Sequence, residues 1–470
     1  MTATERFDAA VIGAGPGGYV AAIRLAQGGK KVALIEKDNL GGVCLNCGCI
    51  PTKTLISSAE IVAKIKKADT YGINISGLLV DYAKMKARKD QVVEKIKKSL
   101  EGLLLANAIQ IFRGQAEFIS PHVLAVSGQS LHHLQADNII IATGSKPMDI
   151  KAFPCDHQRI FDSTSILELK ALPQRMVVIG GGYIGCEFAG LFAELGVQVT
   201  IVEALDRIIS LQGLSLSNAL TKRFKKMNIQ LEVGKQVKTI DRLADRLHVH
   251  LSDGSILETD QVLVAVGRTV DTQALKLEKA MVALGSRGEI IVDARMETST
   301  KGIYAIGDVT MKAMLAHVAS HQGIVAADNI LGHRSAMSYH AIPAVIFTHP
   351  EIASVGMTLE MAEKEGYRAK SALFPLQALG KAQAMGETEG FAEIVYEPTY
   401  QQILGAQIFG AGASEMISPL TLAIQNELTL ENIAETIHAH PTLSEGWMEA
   451  SMIGLDQPIH FPPKRGSRDG

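Results

Sequence analysis

The sequence predicts an α/β protein made of two Rossmann-like dinucleotide-binding domains followed by a C-terminal α+β layer. Three observations carry this. Gly13-Ala14-Gly15-Pro16-Gly17-Gly18 follows the short apolar run Ala9 to Ile12, and Gly180-Gly181-Gly182-Tyr183-Ile184-Gly185 repeats the pattern after Met176 to Ile179. Near the C-terminus two strand-like runs, Ala392 to Tyr396 and Ile403 to Ile408, precede helical sequence from Ser414. The expected division of the 470 residues is 1–148 for the first unit, 149–272 for the second, 273–342 for a return to the first, and 343–470 for the last layer. A chain of this length has ample room for several cores.

Composition excludes some functions. A net charge of -3 and a pI near 6.5 give no electrostatic case for nucleic acid or an anionic membrane surface, so neither is an expected partner. Acidic or basic residues interrupt every apolar run before it could span a bilayer. Met1 to Phe7 carries Glu5 and Arg6 and leads straight into a strand pattern, so no signal or transit peptide is expected. The expected compartment is reducing, the cytoplasm, where a disulfide is transient.

In chain order, Gly13, Gly15 and Gly18 form G-x-G-x-x-G between a strand and a helix (Tyr19 to Gln27), and Glu36 ends the next strand, Val32 to Ile35. Such glycines let the backbone approach a pyrophosphate at the helix N-terminus, and an acid at that distance suits a ribose hydroxyl. Val93, Ile96, Leu100, Leu103 and Leu104 recur at helical spacing, and the basic run from Lys84 to Lys98 reads as that helix's solvated face. Strands follow from Ile109 to Val126, then Asn138 to Ala142 ends in the turn Thr143-Gly144-Ser145.

The second motif repeats the arrangement. Gly180, Gly182 and Gly185 lead into a helix ending near Leu195, and the strand Val197 to Val202 delivers Glu203 at the interval that separates Glu36 from Gly13. Two such folds imply two dinucleotides. An acid at Glu203 would repel a ribose 2'-phosphate, and Arg207 is the one arginine nearby, so NAD is expected over NADP. Val262 to Val266 with Gly267-Arg268 closes this unit. Thr300 to Asp308 then reads as a strand ending in Gly307-Asp308, a carboxylate able to accept from a sugar-like hydroxyl. Met314-Leu315-Ala316-His317 opens a helix whose N-terminal amides suit negative charge.

Two segments carry chemistry. Gly41-Gly42-Val43-Cys44-Leu45-Asn46-Cys47-Gly48-Cys49-Ile50-Pro51-Thr52-Lys53 packs three of the five cysteines together, which points to a working redox couple. Spacing leaves the pairing open between Cys44–Cys47 and Cys44–Cys49, and Lys53 favours a thiolate. Zinc would need a fourth ligand, while Cys155 and Cys186 stand alone, so no metal is expected. The second segment is His438-Ala439-His440-Pro441-Thr442-Leu443-Ser444-Glu445. It reads either as a helix start with a capping box from Thr442 to Glu445, or as a general acid–base pair in which Glu445 orients His440.

Together G-G-V-C-L-N-C-G-C-I-P-T-K, both glycine motifs, the A-T-G turn, the Gly-Asp segment and H-P-T-L-S-E resemble, over nearly the whole chain, the flavin-dependent pyridine nucleotide-disulfide oxidoreductases. The resemblance implies a Cys44–Cys49 disulfide, with Cys47 at a position that is usually apolar. It implies FAD in the first unit, held by Gly13, Gly15, Gly18, Glu36, Lys53, Ala116, Thr143, Gly144, Ser145, Asp308, Met314, Leu315, Ala316 and His317. NAD in the second unit would meet Gly180, Gly182, Tyr183, Gly185, Glu187, Glu203, Val237 and Gly267, with the Tyr183 ring over the flavin and Glu187 paired to Lys53. His440 becomes the base and Glu445 its partner, reaching the disulfide from the other subunit of a homodimer formed by the C-terminal domain. The activity implied is oxidation of a protein-bound dihydrolipoyl group with reduction of NAD+. The implied partner is the lipoyl-bearing acyltransferase of a 2-oxoacid dehydrogenase complex, and glycine cleavage is a further setting. Another NAD(P)H-dependent flavin disulfide reductase, or a redox sensor without turnover, is the alternative; a sensor needs no substrate base.

Overall fold

A computed structural model describes residues 4–462. The first unit is a Rossmann sheet whose parallel core places Thr4–Ile12 between Val32–Glu36 and Leu131–Ile141, with Ile303–Ala305 added outside the latter. Where they lie side by side in the core, at residues 9–12, 32–35, 139–141 and 303–305, these strands are continuously apolar and buried, as a parallel sheet covered on both faces requires. Gln110–Ser120 runs on past Val32–Glu36 to pair antiparallel with Val123–Gly128, and the start of Leu131–Ile141 pairs antiparallel with that same strand while Leu131–Ile141 stays parallel to Thr4–Ile12. Helix α1 (Pro16–Gln27) packs on Ala316–Ile330, its buried Gly17 closed against the Ala319 carbonyl.

Lys146–Pro147 and Arg268–Thr269 pair as a short ribbon where the chain leaves for the second unit and returns. The second sheet is parallel, in the order Gln230–Val233, Gln198–Glu203, Arg175–Ile179, Gln261–Val264, Ile160–Asp162. The C-terminal layer is an antiparallel sheet in the order Ala344–Ile346, Glu351–Gly356, Ile403–Gly410, Phe391–Tyr396, Lys370–Pro375. Ala413–Gln425 and Glu445–Gly454 pack on it around Trp447.

Between the first two strands of the first unit and its third run α2 (Gly42–Cys47), α3 (Cys49–Lys66) and α4 (Tyr82–Ala106). The solvated basic face expected on α4 is wrong at Lys89, which is 3% exposed and donates to Glu168 and the Leu167 carbonyl. Its aliphatic stem lies against the second unit while its charge is matched, which a linear charge pattern does not reveal. Ile96 and Leu103 stay exposed, while Leu100 and Leu104 enter the core.

Of the capping box read from Thr442 to Glu445 one half is present, since the Thr442 N–H donates to Glu445, but the helix itself begins only at Glu445. The chain from Gln457 to Pro462, expected as an extended arm, lies outside helix and strand with His460 bonded to Glu449 and Phe461 edge-on to Phe374, and Pro463 falls outside the described residues. Among the described residues no helix is long and apolar enough to cross a membrane.

Candidate active site

The two glycine loops are near copies. A Cβ at Gly13 would collide with the Ala142 carbonyl, and one at Gly180 with the Ala265 carbonyl, so side chains there would push the neighbouring strand away. Gly18 and Gly185 press on the first glycine of their own motif. At Gly15 and Gly182 a Cβ would meet nothing: that side is open at the helix N-terminus, where a pyrophosphate fits. Each acid is fixed by its own loop. Glu36 accepts from the Ala14 and Asp38 N–H groups at 2.7 and 2.8 Å, and Glu203 from Gly181 and Leu205 at 2.6 and 2.8 Å.

The second loop opens on a cavity of about 640 Å3, large enough for a bound nucleotide, lined by Gly180, Gly182, Tyr183, Glu203, Val237 and Gly267 among the expected residues. Gly185 and Glu187 do not line it: Gly185 packs inside the turn and Glu187 faces Lys53. Arg207, Lys235 and Ile346 line it as well, and the Arg207 Nε is buried without a partner. That orphaned donor suits an anionic ligand.

The first unit's site is completed from three directions. Ser145 Oγ donates to Asp308 Oδ2 at 2.5 Å, and Arg268 donates to Ser145 Oγ and to its carbonyl, both at 2.7 Å. The fully buried Gln322 accepts from the Gly307 N–H at 2.6 Å and fixes the turn carrying Asp308. Thr143 Oγ1 is buried with no partner, another vacancy of hydrogen-bonding capacity that a polar cofactor would fill. Met314 and Leu315 precede the helix Ala316–Ile330, whose first turn has no side-chain cap, so its amides remain available. His317 Nε2 lies 2.9 Å from the Pro343 carbonyl, and burial pulls its pKa down. Ala116 is buried in its strand. Arg268 and Gln322 went unrecognised in the sequence; a buried amide on an apolar helix was the available signal for Gln322.

The cysteines resolve by geometry. Cys44 on α2 and Cys49 at the first position of α3 lie beside each other and shift each other's pKa, whereas Cys47 lies near Thr164 and packs against the core. The neighbouring Cys44 and then Lys53 outweigh burial and Glu187 and bring the Cys49 pKa down. Cys44 moves the opposite way, first through Cys49 and then through burial. Burial also raises Cys47 and, more strongly, Cys186. Lys53 Nζ pairs with Glu187 Oε2 at 2.7 Å, and the other Glu187 oxygen accepts from the Phe347 N–H at 3.0 Å.

Glu445 serves both readings of its segment. One oxygen accepts from the Thr442 N–H and the other meets His440 Nδ1, each at 2.8 Å. Burial opposes its charge, yet the Thr442 N–H and the imidazole hold Glu445 below the usual carboxylate range. His440 is 75% exposed, and its side-chain hydrogen bond stays within its own segment. Among the described residues no three His, Cys, Asp or Glu side chains cluster as metal ligands.

Comparison with known proteins agrees with this architecture. Residues 7–323 match the pyridine nucleotide-disulphide oxidoreductase family and residues 342–451 its dimerisation domain. The chain is 50% identical to dihydrolipoyl dehydrogenase of Chlamydia muridarum, covering 98% of this chain and 99% of that protein. It is 44% identical to dihydrolipoyl dehydrogenase of Geobacillus stearothermophilus, covering 97% of each. Among solved structures it resembles LpdA of Mycobacterium tuberculosis, with a TM-score of 0.91 and 28% identity over 96% of this chain and 99% of that one. It also resembles the HOCl-induced flavoprotein disulfide reductase RclA of Escherichia coli, with a TM-score of 0.84 and 30% identity over 94% and 98%.

Proposed function

The chain belongs to the pyridine nucleotide-disulphide oxidoreductase family, and we propose that it acts as a dihydrolipoyl dehydrogenase, oxidising a dihydrolipoyl group while NAD+ is reduced. The observation that carries this reading is the contact of Cys44 with Cys49 beside the Lys53–Glu187 pair, on a chain that also holds a Glu445-oriented histidine. Similarity to curated dihydrolipoyl dehydrogenases over nearly full length supports it.

In this reading His440 removes the proton from one substrate thiol, and Glu445 stabilises the imidazolium that results. The substrate thiolate attacks Cys44 of the Cys44–Cys49 disulfide; the S–S bond breaks and Cys49 leaves as a thiolate beside the Lys53 ammonium. The second substrate thiol, once deprotonated, attacks the substrate sulfur joined to Cys44 and releases it. The substrate ends as a disulfide and the protein as a dithiol. FAD bound beside this dithiol would supply the two-electron redox chemistry that links it to NAD+. Gly13, Gly15, Gly18, Glu36, Ser145 and Asp308 would hold the FAD, and Gly180, Gly182, Glu203 and Val237 the NAD.

The chain carries a dimerisation domain. The finer reading is a homodimer in which His440 serves the partner's thiols, supported by its exposure and by a side-chain hydrogen bond that stays within its own segment. The lipoyl-bearing acyltransferase of a 2-oxoacid dehydrogenase complex is the proposed partner. The cytoplasm is the proposed location, since the couple must be reduced in turnover.

The test is NAD+ reduction by dihydrolipoamide in the wild type and in Cys44→Ser, Cys49→Ser and Cys47→Ser. Near-total loss in the first two with Cys47→Ser active supports the relay. Loss in Cys47→Ser with Cys49→Ser active would overturn it, as would an inactive wild type with flavin bound.

A further inference from the structure

The C-terminal domain reaches into the reactive centre through one segment, Ile346 to His349. Ile346 lines the nucleotide cavity. Phe347 donates its backbone N–H to Glu187 Oε1, and its ring lies 4.6 Å from Lys53 Nζ. His349 Nδ1 meets Glu194 at 2.7 Å, on the same helix as Glu187 and two turns further along. Arg223 donates to the His349 carbonyl at 2.9 Å, so the segment is tied down on both sides.

This places a single residue on both halves of the Lys53–Glu187 pair. The N–H occupies the Glu187 oxygen that Lys53 does not use, which turns the remaining oxygen toward the ammonium. The ring face attracts the same ammonium from another direction, since the face of an aromatic ring carries negative charge. Lys53 comes from α3, Glu187 from the second unit and Phe347 from the C-terminal domain, so the cation beside Cys49 is fixed only where all three meet.

The geometry points to Phe347 as a positioning residue that holds the Lys53 ammonium where it stabilises the Cys49 thiolate. It makes the charge state of the Cys49 thiol depend on how the dimerisation domain is seated. The proposal rests on the disulfide oxidoreductase reading of the site, but its test reads the thiol and needs no turnover, so the two can fail separately.

The test uses the flavin-loaded protein with Cys44→Ser, which leaves Cys49 unpaired. Cys49 is titrated by thiolate ultraviolet difference absorbance. Cys155 is pushed up to about 11 and Cys47 and Cys186 are raised by burial, and the Cys49 step is identified as the one lost when Cys49→Ala is added. Phe347→Leu keeps the N–H and much of the volume but removes the ring face. It is expected to lower the Cys49 thiolate-to-thiol ratio near neutral pH about two- to fivefold, the range for a ring–cation contact. Phe347→Tyr should restore the wild-type curve, and Phe347→Leu added to Lys53→Met should cause no further change. Flavin content and thermal unfolding report whether each variant is folded. A Phe347→Leu curve that superimposes on the parent's, or a shift that persists without Lys53, would overturn the proposal.

Discussion

Glu445→Gln tests the acid–base pair with the least change of shape. The carboxylate accepts from the Thr442 N–H and holds His440 Nδ1, both at 2.8 Å, and its side chain is 15% exposed. Glutamine keeps one acceptor oxygen. Whichever way the amide turns, one neighbour loses its acceptor, and the imidazolium loses its countercharge. A hydrogen bond to a charged group contributes about 1.5–3 kcal/mol. At 1.36 kcal/mol per factor of ten, thiol oxidation should slow by about 10- to 100-fold. The assay is kcat/KM for dihydrolipoamide with NAD+, set beside NADH oxidation by a small-molecule electron acceptor that needs no thiol exchange. The second activity should stay near wild type. Equal loss of both activities, or a variant within a factor of two of wild type in the first, would refute the assignment of Glu445 to His440.

Three further outcomes follow from the same geometry. Cys47→Val should keep dihydrolipoamide oxidation and match or slightly raise the unfolding temperature, since Cys47 packs against apolar neighbours. Gly15→Val and Gly182→Val place a side chain in the open side of each loop; the first should be purified with little flavin, and the second should keep flavin while the KM for NAD+ rises about tenfold or more, as lost anion-site contacts allow. His349 is 14% exposed, and Glu194 and then Glu387 raise its pKa to about 9. Because the folded value exceeds the unfolded one of about 6.5, its stabilisation, at most about 3 kcal/mol, is complete below pH ~6.5 and lost as pH rises through ~9. The unfolding-temperature gap between wild type and His349→Gln should therefore shrink over that window, and a pH-independent gap would contradict the ion pair.

Much of the molecule was legible because local chemistry leaves little choice. A glycine that must pass close to a carbonyl, an acid one strand later and an apolar run buried on both faces can be read residue by residue. Both cofactor loops and the parallel sheets were found that way. The Thr442 to Glu445 segment was left with two readings because its carboxylate could satisfy either the Thr442 N–H or His440, and the fold uses it for both. Lys89 was misread because burial of its stem depends on Glu168 in another unit.

By itself, then, the sequence determined the two nucleotide folds, the acids that suit ribose, and the pool of three neighbouring thiols, since each depends on residues close along the chain. Only the tertiary structure decided which thiol meets Cys44, because α2 ends at Cys47 and the break at Gly48 turns Cys49 onto a new helix. It also decided what surrounds Lys53. Glu187 and Phe347 lie 134 and, for Phe347, still more residues from Lys53 in the chain, and only docking of three domains brings their charges and dipoles within reach.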